Sequence, residues 1–133
     1  MSVRSGFEAT VYIQLAEDKV KFEYERESYE LWLPVHRGHK CVKCGHGKVV
    51  KRALYTPDFF LENGIVIETK GRFTALDRRK AMAMREQHPD VDYRLVFMQD
   101  NKLSRSSKTR YVEWATKQGI PAAVFKVPPK WYK

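Results

Sequence analysis

Apolar residues near the start of the chain recur every four positions, which is the spacing of one face of an α-helix. The stripe consists of Phe7, Val11 and Leu15. Just before it, Ser5 and Glu8 stand three residues apart, as in a capping box whose serine is the helix N-cap. The pattern predicts a first helix over residues 5–18.

Farther along the chain, apolar and polar residues alternate, or short apolar runs lie between turn residues, and both patterns are typical of β-strands. The predicted strands are 20–24, 29–34, 55–61, 65–70, 93–98 and 122–127. Asn63-Gly64 separates two of them and favours a tight hairpin turn. Two further helices are predicted over residues 74–87 and 107–118. This order predicts a mixed α/β fold with a central sheet flanked by helices.

The length of 133 residues and the 43% of hydrophobic residues are those of a single globular domain. No apolar run is long enough to span a membrane, and the first ten residues lack the apolar stretch of a signal peptide. We therefore expect a soluble intracellular protein.

Charge narrows the choice of partner. The chain has 25 Lys and Arg against 16 Asp and Glu, so its net charge is +9. A small domain this basic usually binds a polyanion, and nucleic acid is the first candidate. An anionic membrane surface is disfavoured because no basic amphipathic helix with a bulky apolar face is present.

Candidate chemistry lies on the strands around the predicted hairpin. Asp58 follows Pro57 on one strand, and Glu68 and Lys70 lie two apart on the other, so that both point to the same face. Converging carboxylates repel unless a cation lies between them, and Mg²⁺ prefers such oxygen ligands. This is the PD-(D/E)xK pattern of metal-dependent nucleases, in which the lysine orients or deprotonates water and stabilises charge on phosphorus.

Two alternative interpretations remain open at this point. Glu68 and Lys70 could form only a surface salt bridge, with Asp58 as a turn residue. Glu8 could be only the third residue of the capping box, or it could be a further metal ligand from the first helix.

These residues lie within a longer resemblance. The chain resembles the phage endonuclease I family, whose members are Holliday-junction resolvases of T7-like phages. The matching stretches keep one order along nearly the whole chain: 4–8, 21–25, 55–59, 63–65, 67–71, 77–80, 85–89, 94–97, 117–120 and Trp131.

The resemblance implies a restriction-endonuclease-like fold that acts on branched DNA with two Mg²⁺ (or Mn²⁺) ions per site. It implies an active site formed by Glu8, Asp58, Glu68 and Lys70. Asp58 would contact both ions, Glu68 would hold one, Glu8 would help with the other, and the backbone carbonyl of Thr69 would be a further ligand. It also implies a homodimer with exchanged elements, in which Glu8 completes the site of the partner subunit.

Residues 36–52 depart from the family pattern. This stretch has six Lys or Arg and no acidic residue, and it predicts a small basic insertion with a Cys/His cluster. Cys41 and Cys44 form a CxxC knuckle, and we expect His36 and His46, rather than the crowded His39, to complete a structural Zn²⁺ site. The alternatives are a basic loop with free thiols, or a disulfide. The insertion also leaves open whether the dimer exchanges elements.

Several basic residues are candidate DNA contacts, although the same residues could form only a solvated surface. They are Arg4, Lys43, Arg72, Arg78, Lys102 and Arg105. Two other functions remain as alternatives to junction resolution. One is a nuclease of the same fold that cuts defined sequences or ends, and the other is a DNA-binding module without catalysis.

Overall fold

The computed structural model of the protein describes residues 6–34 and 50–133. Its helices are α1 (Gly6–Glu17), α2 (Ala75–Gln87) and α3 (Tyr111–Lys117), with a 3-10 turn at Pro129–Trp131. Its strands are β1 (Phe22–Tyr24), β2 (Tyr29–Pro34), β3 (Val50–Tyr55), β4 (Phe59–Leu61), β5 (Ile65–Lys70), β6 (Asp92–Phe97) and β7 (Ala122–Val124). None of the described helices is long and apolar enough to cross a membrane.

Five strands form a mixed sheet in the order β1-β4-β5-β6-β7. The pairs β1–β4 and β4–β5 are antiparallel, whereas β5–β6 and β6–β7 are parallel. The predicted hairpin between β4 and β5 is confirmed. Gly64 has φ +97, which favours glycine, and the side chain of Asn63 accepts a hydrogen bond from the Ile65 N–H. The expected mixed sheet flanked by helices is therefore present.

The central strands alternate their side chains between two cores, one on each face of the sheet. Val66 and Leu95 belong to the core that contains Met84 of α2. Ile67 and Val96 belong to the other core, which contains the predicted α1 stripe of Phe7, Val11 and Leu15. Side chains along a strand alternate in direction. The polar residues at the end of β5 therefore point alternately to the two faces of the sheet. The sheet therefore brings α1 and α2 to opposite sides of the end of β5.

The prediction of one strand over residues 55–61 is wrong. The chain leaves one sheet after Tyr55, which pairs with Tyr29, and enters the other at Phe59, which pairs with Tyr24. Pro57 lies between the two strands and has no N–H to donate to a ladder, so it interrupts strand pairing. This break leaves a short connecting segment between the two strands, and Asp58 lies in it, buried.

Residues 50–52, which the predicted insertion included, belong to β3 and pair with 32–34 of β2, so they are part of a two-stranded antiparallel sheet. That sheet packs against α2, where the side-chain amide of Gln87 bonds both the N–H and the carbonyl of Trp32. The remainder of the predicted insertion lies outside the described residues.

Two more elements are shorter than predicted. Helix α3 begins at Tyr111 rather than at residue 107, because the preceding residues form a turn in which Leu103 N–H donates to Thr109 O. Strand β7 ends at Val124, and Phe125 follows with φ 69, a left-handed conformation that does not continue a strand.

We predict that the β2–β3 hairpin contributes to the main core. Leu31 on β2 is fully buried, whereas Leu54 on β3 is 69% exposed, so Leu→Ala at the two positions compares the same chemical change inside and outside the core. Leu31→Ala should cost about 2–5 kcal/mol of unfolding free energy and Leu54→Ala less than about 1. Urea denaturation measures both. Equal small losses would mean that the hairpin folds apart from the domain.

Candidate active site

The end of β5 carries three consecutive polar residues that line an open cleft of about 460 Å³. Glu68 and Thr69 are buried, and Lys70 is partly exposed. Asp58 reaches the same cleft from the segment between β3 and β4. The cleft is lined by Glu8, Glu25, Leu54, Tyr55, Thr56, Asp58, Glu68, Thr69, Lys70 and Lys80. The structure thus brings Asp58, Glu68, Thr69 and Lys70 together, as the sequence predicted, with Glu8 in the same cleft.

Asp58 is held rigidly although it lies outside regular structure. The residue is 1% exposed, and its Oδ2 accepts hydrogen bonds from the Thr69 N–H at 2.8 Å and the Thr69 hydroxyl at 2.6 Å. Two hydrogen bonds to one carboxylate oxygen fix the direction of the side chain. Thr69 therefore acts on the site through its amide and hydroxyl, contacts that the sequence pattern did not indicate.

Glu68 is buried beside a second carboxylate. It is 3% exposed, and one of its oxygens, Oε1, is buried with no hydrogen-bond partner among the described residues. Burial, and next the charge of Asp58, raise the pKa of Glu68 to about 8. The alternative of a surface salt bridge is therefore wrong for Glu68. Its contact with Lys70 exists, at 3.3 Å from Oε2 to Nζ, but it lies in a buried site.

Lys70 lies between two acids. Its Nζ is 3.3 Å from Glu68 Oε2 and 3.2 Å from Asp77 Oδ1. Burial lowers the pKa of Lys70, but the charges of Glu68 and Asp77 outweigh it and leave the pKa raised. The side chain is therefore an ammonium at neutral pH in this state. Such a group stabilises negative charge rather than removing a proton.

Two tyrosines support the floor of the cleft behind Glu68. The hydroxyls of Tyr55 and Tyr93 are 2.7 Å apart, and both side chains are buried. Burial and the charge of Glu68 raise the pKa of both tyrosines well above its ordinary value. They therefore remain neutral and present polar but uncharged groups to the buried carboxylate.

Glu8 comes from the first turn of α1 and is 7% exposed. The hydroxyl of Tyr24 donates a hydrogen bond to Glu8 Oε2. The resemblance implied that Glu8 would complete the site of a partner subunit, but in this structure it lines the cleft of its own chain. Its N-cap partner in the predicted capping box, Ser5, lies outside the described residues, so that interpretation of Glu8 stays a prediction.

The donor set suits a hard divalent cation with open positions. Asp58 and Glu68 supply carboxylate oxygens, and Oε1 of Glu68, which has no hydrogen-bond partner among the described residues, is the atom that a cation would satisfy. Within residues 6–34 and 50–133, no group of three or more His, Cys, Asp or Glu forms a metal site from these side chains alone. The open cleft leaves room for water and substrate oxygens as further ligands.

The predicted DNA contacts are less tightly grouped. Arg72 is exposed just after β5, and Lys102 and Arg105 are exposed in the loop before α3. Arg78 is half-buried and donates to the Phe73 carbonyl at 2.9 Å, so part of its hydrogen-bonding capacity is already used. The other predicted residues lie outside the described part of the chain: Arg4, His36, His39, Cys41, Lys43, Cys44 and His46.

Sequence reasoning missed several residues of the site. Lys80 and Glu25 line the cleft, Tyr24 bonds Glu8, and Asp77 contacts Lys70. Asp77 also caps α2. Its position three residues before Lys80 puts both side chains on one face of α2, which was the available signal.

Buried paired carboxylates, a lysine in contact with one of them and an open cleft in a strongly basic α/β protein are together typical of metal-dependent nucleases. A model of the family described as Phage endonuclease I matches residues 1–133. The chain is 39% identical over 131 residues to Endonuclease I of Escherichia phage T7, covering 98% of this chain and 78% of that protein.

Endodeoxyribonuclease 1 of Enterobacteria phage T3 is 42% identical over 135 residues, covering 96% of this chain and 79% of that protein. The chain belongs to the phage endonuclease I family, and the resemblance inferred from its motifs is confirmed. Membership makes it an endonuclease.

We predict that Glu68 destabilises the metal-free protein as pH rises. Its folded pKa of about 8 lies above the unfolded value of 4.5, so the folded state binds more protons between these values. The free energy of unfolding therefore falls as the pH rises from 4.5 to about 8, and this group contributes at most about 1.4 kcal/mol per pH unit. Glu68→Gln removes the titration. In EDTA, the melting temperature of Glu68→Gln should exceed that of the parent at pH 8. The difference between the two proteins should be larger at pH 8 than at pH 5.

The difference in melting temperature between the variant and the parent reports on Glu68, because the two proteins share all other titrating groups. A difference that stays constant from pH 5 to pH 8 would contradict the assignment of the raised pKa to Glu68.

Proposed function

We propose that this protein is a Mg²⁺-dependent DNA endonuclease (Mn²⁺ substituting) that resolves four-way junctions by paired phosphodiester cleavage. The single observation that carries the proposal is the buried pair of Asp58 and Glu68, with Lys70 beside it, in an open cleft of a phage endonuclease I chain. The net charge of +9 suits a polyanionic substrate. We infer that the protein acts on DNA inside the host cell, since both relatives are phage proteins.

Each residue has a role in this proposal. Asp58 and Glu68 would hold the divalent cations, two per site, with Glu8 and the Thr69 carbonyl as further ligands. Bound at these residues, the ions would supply Lewis-acid chemistry, that is, a lowered pKa of bound water and neutralisation of phosphate charge. Lys70 stabilises the negative charge that develops when the water oxygen bonds to phosphorus and the bond to the 3′ oxygen breaks. The products are a 5′-phosphate and a 3′-hydroxyl.

Substrate contacts extend from the cleft. Lys80 is the best placed additional cation, because it lines the same cleft as the carboxylates. Arg72, Arg78, Lys102 and Arg105 are proposed to contact phosphates farther away, together with Arg4 and Lys43. A homodimer would offer two sites to the two strands that are cut, since a two-fold enzyme matches a nearly symmetric junction. In such a dimer, Glu8 completes the site of its own chain, or the site of the partner subunit where the two subunits exchange α1.

The finer fold assignment is also a proposal. A mixed sheet whose central hairpin carries the acidic residues, with helices on both faces, supports a restriction-endonuclease-like fold. We propose one nuclease domain over residues 1–133, with a basic Cys/His insertion whose far end precedes β3.

We predict that the parent protein cleaves a labelled four-way junction with Mg²⁺, in preference to linear duplex of the same sequence, and that EDTA abolishes cleavage. Lys70→Ala and Asp58→Asn should each reduce the cleavage rate by at least about a hundredfold, because the first removes the ammonium that stabilises the developing negative charge and the second removes a proposed cation ligand. Junction binding, measured by gel shift in Ca²⁺, should persist.

Lys117→Ala is the matched control, because Lys117 lies on α3 paired with Glu113 and not in the cleft. Equal cutting of junction and duplex would favour a nuclease of other specificity. Binding with no cutting by the parent would favour a DNA-binding module. A fully active Lys70→Ala protein would contradict the catalytic assignment.

We also propose that Cys41, Cys44, His36 and His46 bind one structural Zn²⁺, from the chemistry of the CxxC knuckle. Metal analysis of purified protein should find about one zinc per chain, and Cys41→Ser with Cys44→Ser should release it. His39→Ala is the control and should retain zinc. A folded, active and zinc-free parent protein would exclude the site.

A further inference from the structure

We propose that Asp77 is a positioning residue, which holds the Lys70 ammonium at the mouth of the cleft. The inference rests on the proposed function, because it assigns Lys70 to the reaction. It concerns a contact that no sequence motif indicated, between the end of β5 and the first turn of α2.

The carboxylate of Asp77 divides its two oxygens between two tasks. Oδ2 accepts hydrogen bonds from the N–H and the hydroxyl of Thr74, each at 2.9 Å, and so completes the capping box of α2. Oδ1 faces the other way and lies 3.2 Å from Lys70 Nζ. A residue needed only as a cap has no reason to accept from Lys70 as well.

Asp77 is itself fixed by the core. Phe73, four residues earlier, is 2% exposed and packs its ring against Phe97, Tyr111 and Trp114. The Phe73 N–H donates to the Tyr111 hydroxyl, and its carbonyl accepts from Arg78. The turn between β5 and α2 is therefore held from both sides. Asp77 presents its carboxylate from a rigid element, which is the requirement for positioning a catalytic group.

Lys70 needs such a second anchor. A lysine side chain has four rotatable bonds and loses much conformational freedom when it is held in one place. Its other partner is Glu68, whose oxygens are the proposed ligands of a cation. When Glu68 binds that cation, its attraction for Lys70 weakens, and Asp77 remains as the acid that keeps the ammonium near the reacting phosphate. The side chain of Asp77 is only 18% exposed, so solvent screens this contact little.

The competing explanation is that Asp77 only stabilises α2. Asp77→Asn separates the two, because asparagine retains an oxygen for Thr74 but loses the charge that faces Lys70. We expect kcat for junction cleavage to fall about ten- to a hundredfold, with KM and junction affinity in Ca²⁺ changed less than about twofold. Asp77→Glu restores the charge and should recover part of kcat.

Thr74→Ala is the matched control for the cap. It removes the side chain that accepts from the Asp77 N–H at 3.1 Å, but it leaves Oδ1 of Asp77 facing Lys70. It should lower the melting temperature at least as much as Asp77→Asn does, with kcat within about twofold of the parent.

The outcomes distinguish the inference from the function on which it rests. If the parent cleaves junctions and Lys70→Ala does not, but Asp77→Asn keeps the parent kcat, the inference is overturned and the proposed function stands. Loss of kcat in Thr74→Ala equal to that in Asp77→Asn would also overturn it, since helix capping alone would then explain both. A parent protein that does not cleave would remove the proposed function itself.

Discussion

The burial of two neighbouring carboxylates, Glu68 at the end of β5 and Asp58 in the segment before β4, is the constraint around which this protein is organised. Burial and the charge of Asp58 raise the pKa of Glu68 to about 8. The fold places partners beside both acids, because the amide and hydroxyl of Thr69 donate to Asp58 and the ammonium of Lys70 lies next to Glu68. Among the described residues, one oxygen of Glu68 has no hydrogen-bond partner, which suits a site completed by a cation.

The sheet makes this arrangement possible because β5 serves two purposes. Its first half is apolar and buried on both faces, so the strand is held in the middle of the domain. Its last residues emerge at the cleft with their direction already determined by the pleat. Glu68 and Lys70 point toward the α2 side, where Asp77 lies, whereas Thr69 points toward Asp58. Core packing and site geometry are therefore properties of the same strand.

Electrostatics extends this organisation beyond the strand. The acids Glu68 and Asp77 hold one lysine, and Glu8 enters from α1 with its hydroxyl partner Tyr24. Around this acidic centre the chain as a whole carries a large positive charge. A net positive charge suits a protein that acts on a polyanion, because it attracts the phosphates that the carboxylates of the cleft alone would repel.

Local patterns were sufficient for much of this picture. The α1 stripe, the Asn63-Gly64 turn and the two-residue spacing of Glu68 and Lys70 depend on neighbours in the chain, so they could be predicted directly. Long-range pairing could not. The division of the predicted 55–61 strand between two sheets depends on partners about 25 to 35 residues away, Tyr29 and Tyr24, which no local period indicates. Likewise, only the packing of Phe73 into the core brings Asp77 to Lys70, and only the placement of α1 against β5 puts Glu8 in its own cleft. Short-range periodicity determines which residues belong to an element and which face they share, whereas contacts between elements arise from tertiary packing alone.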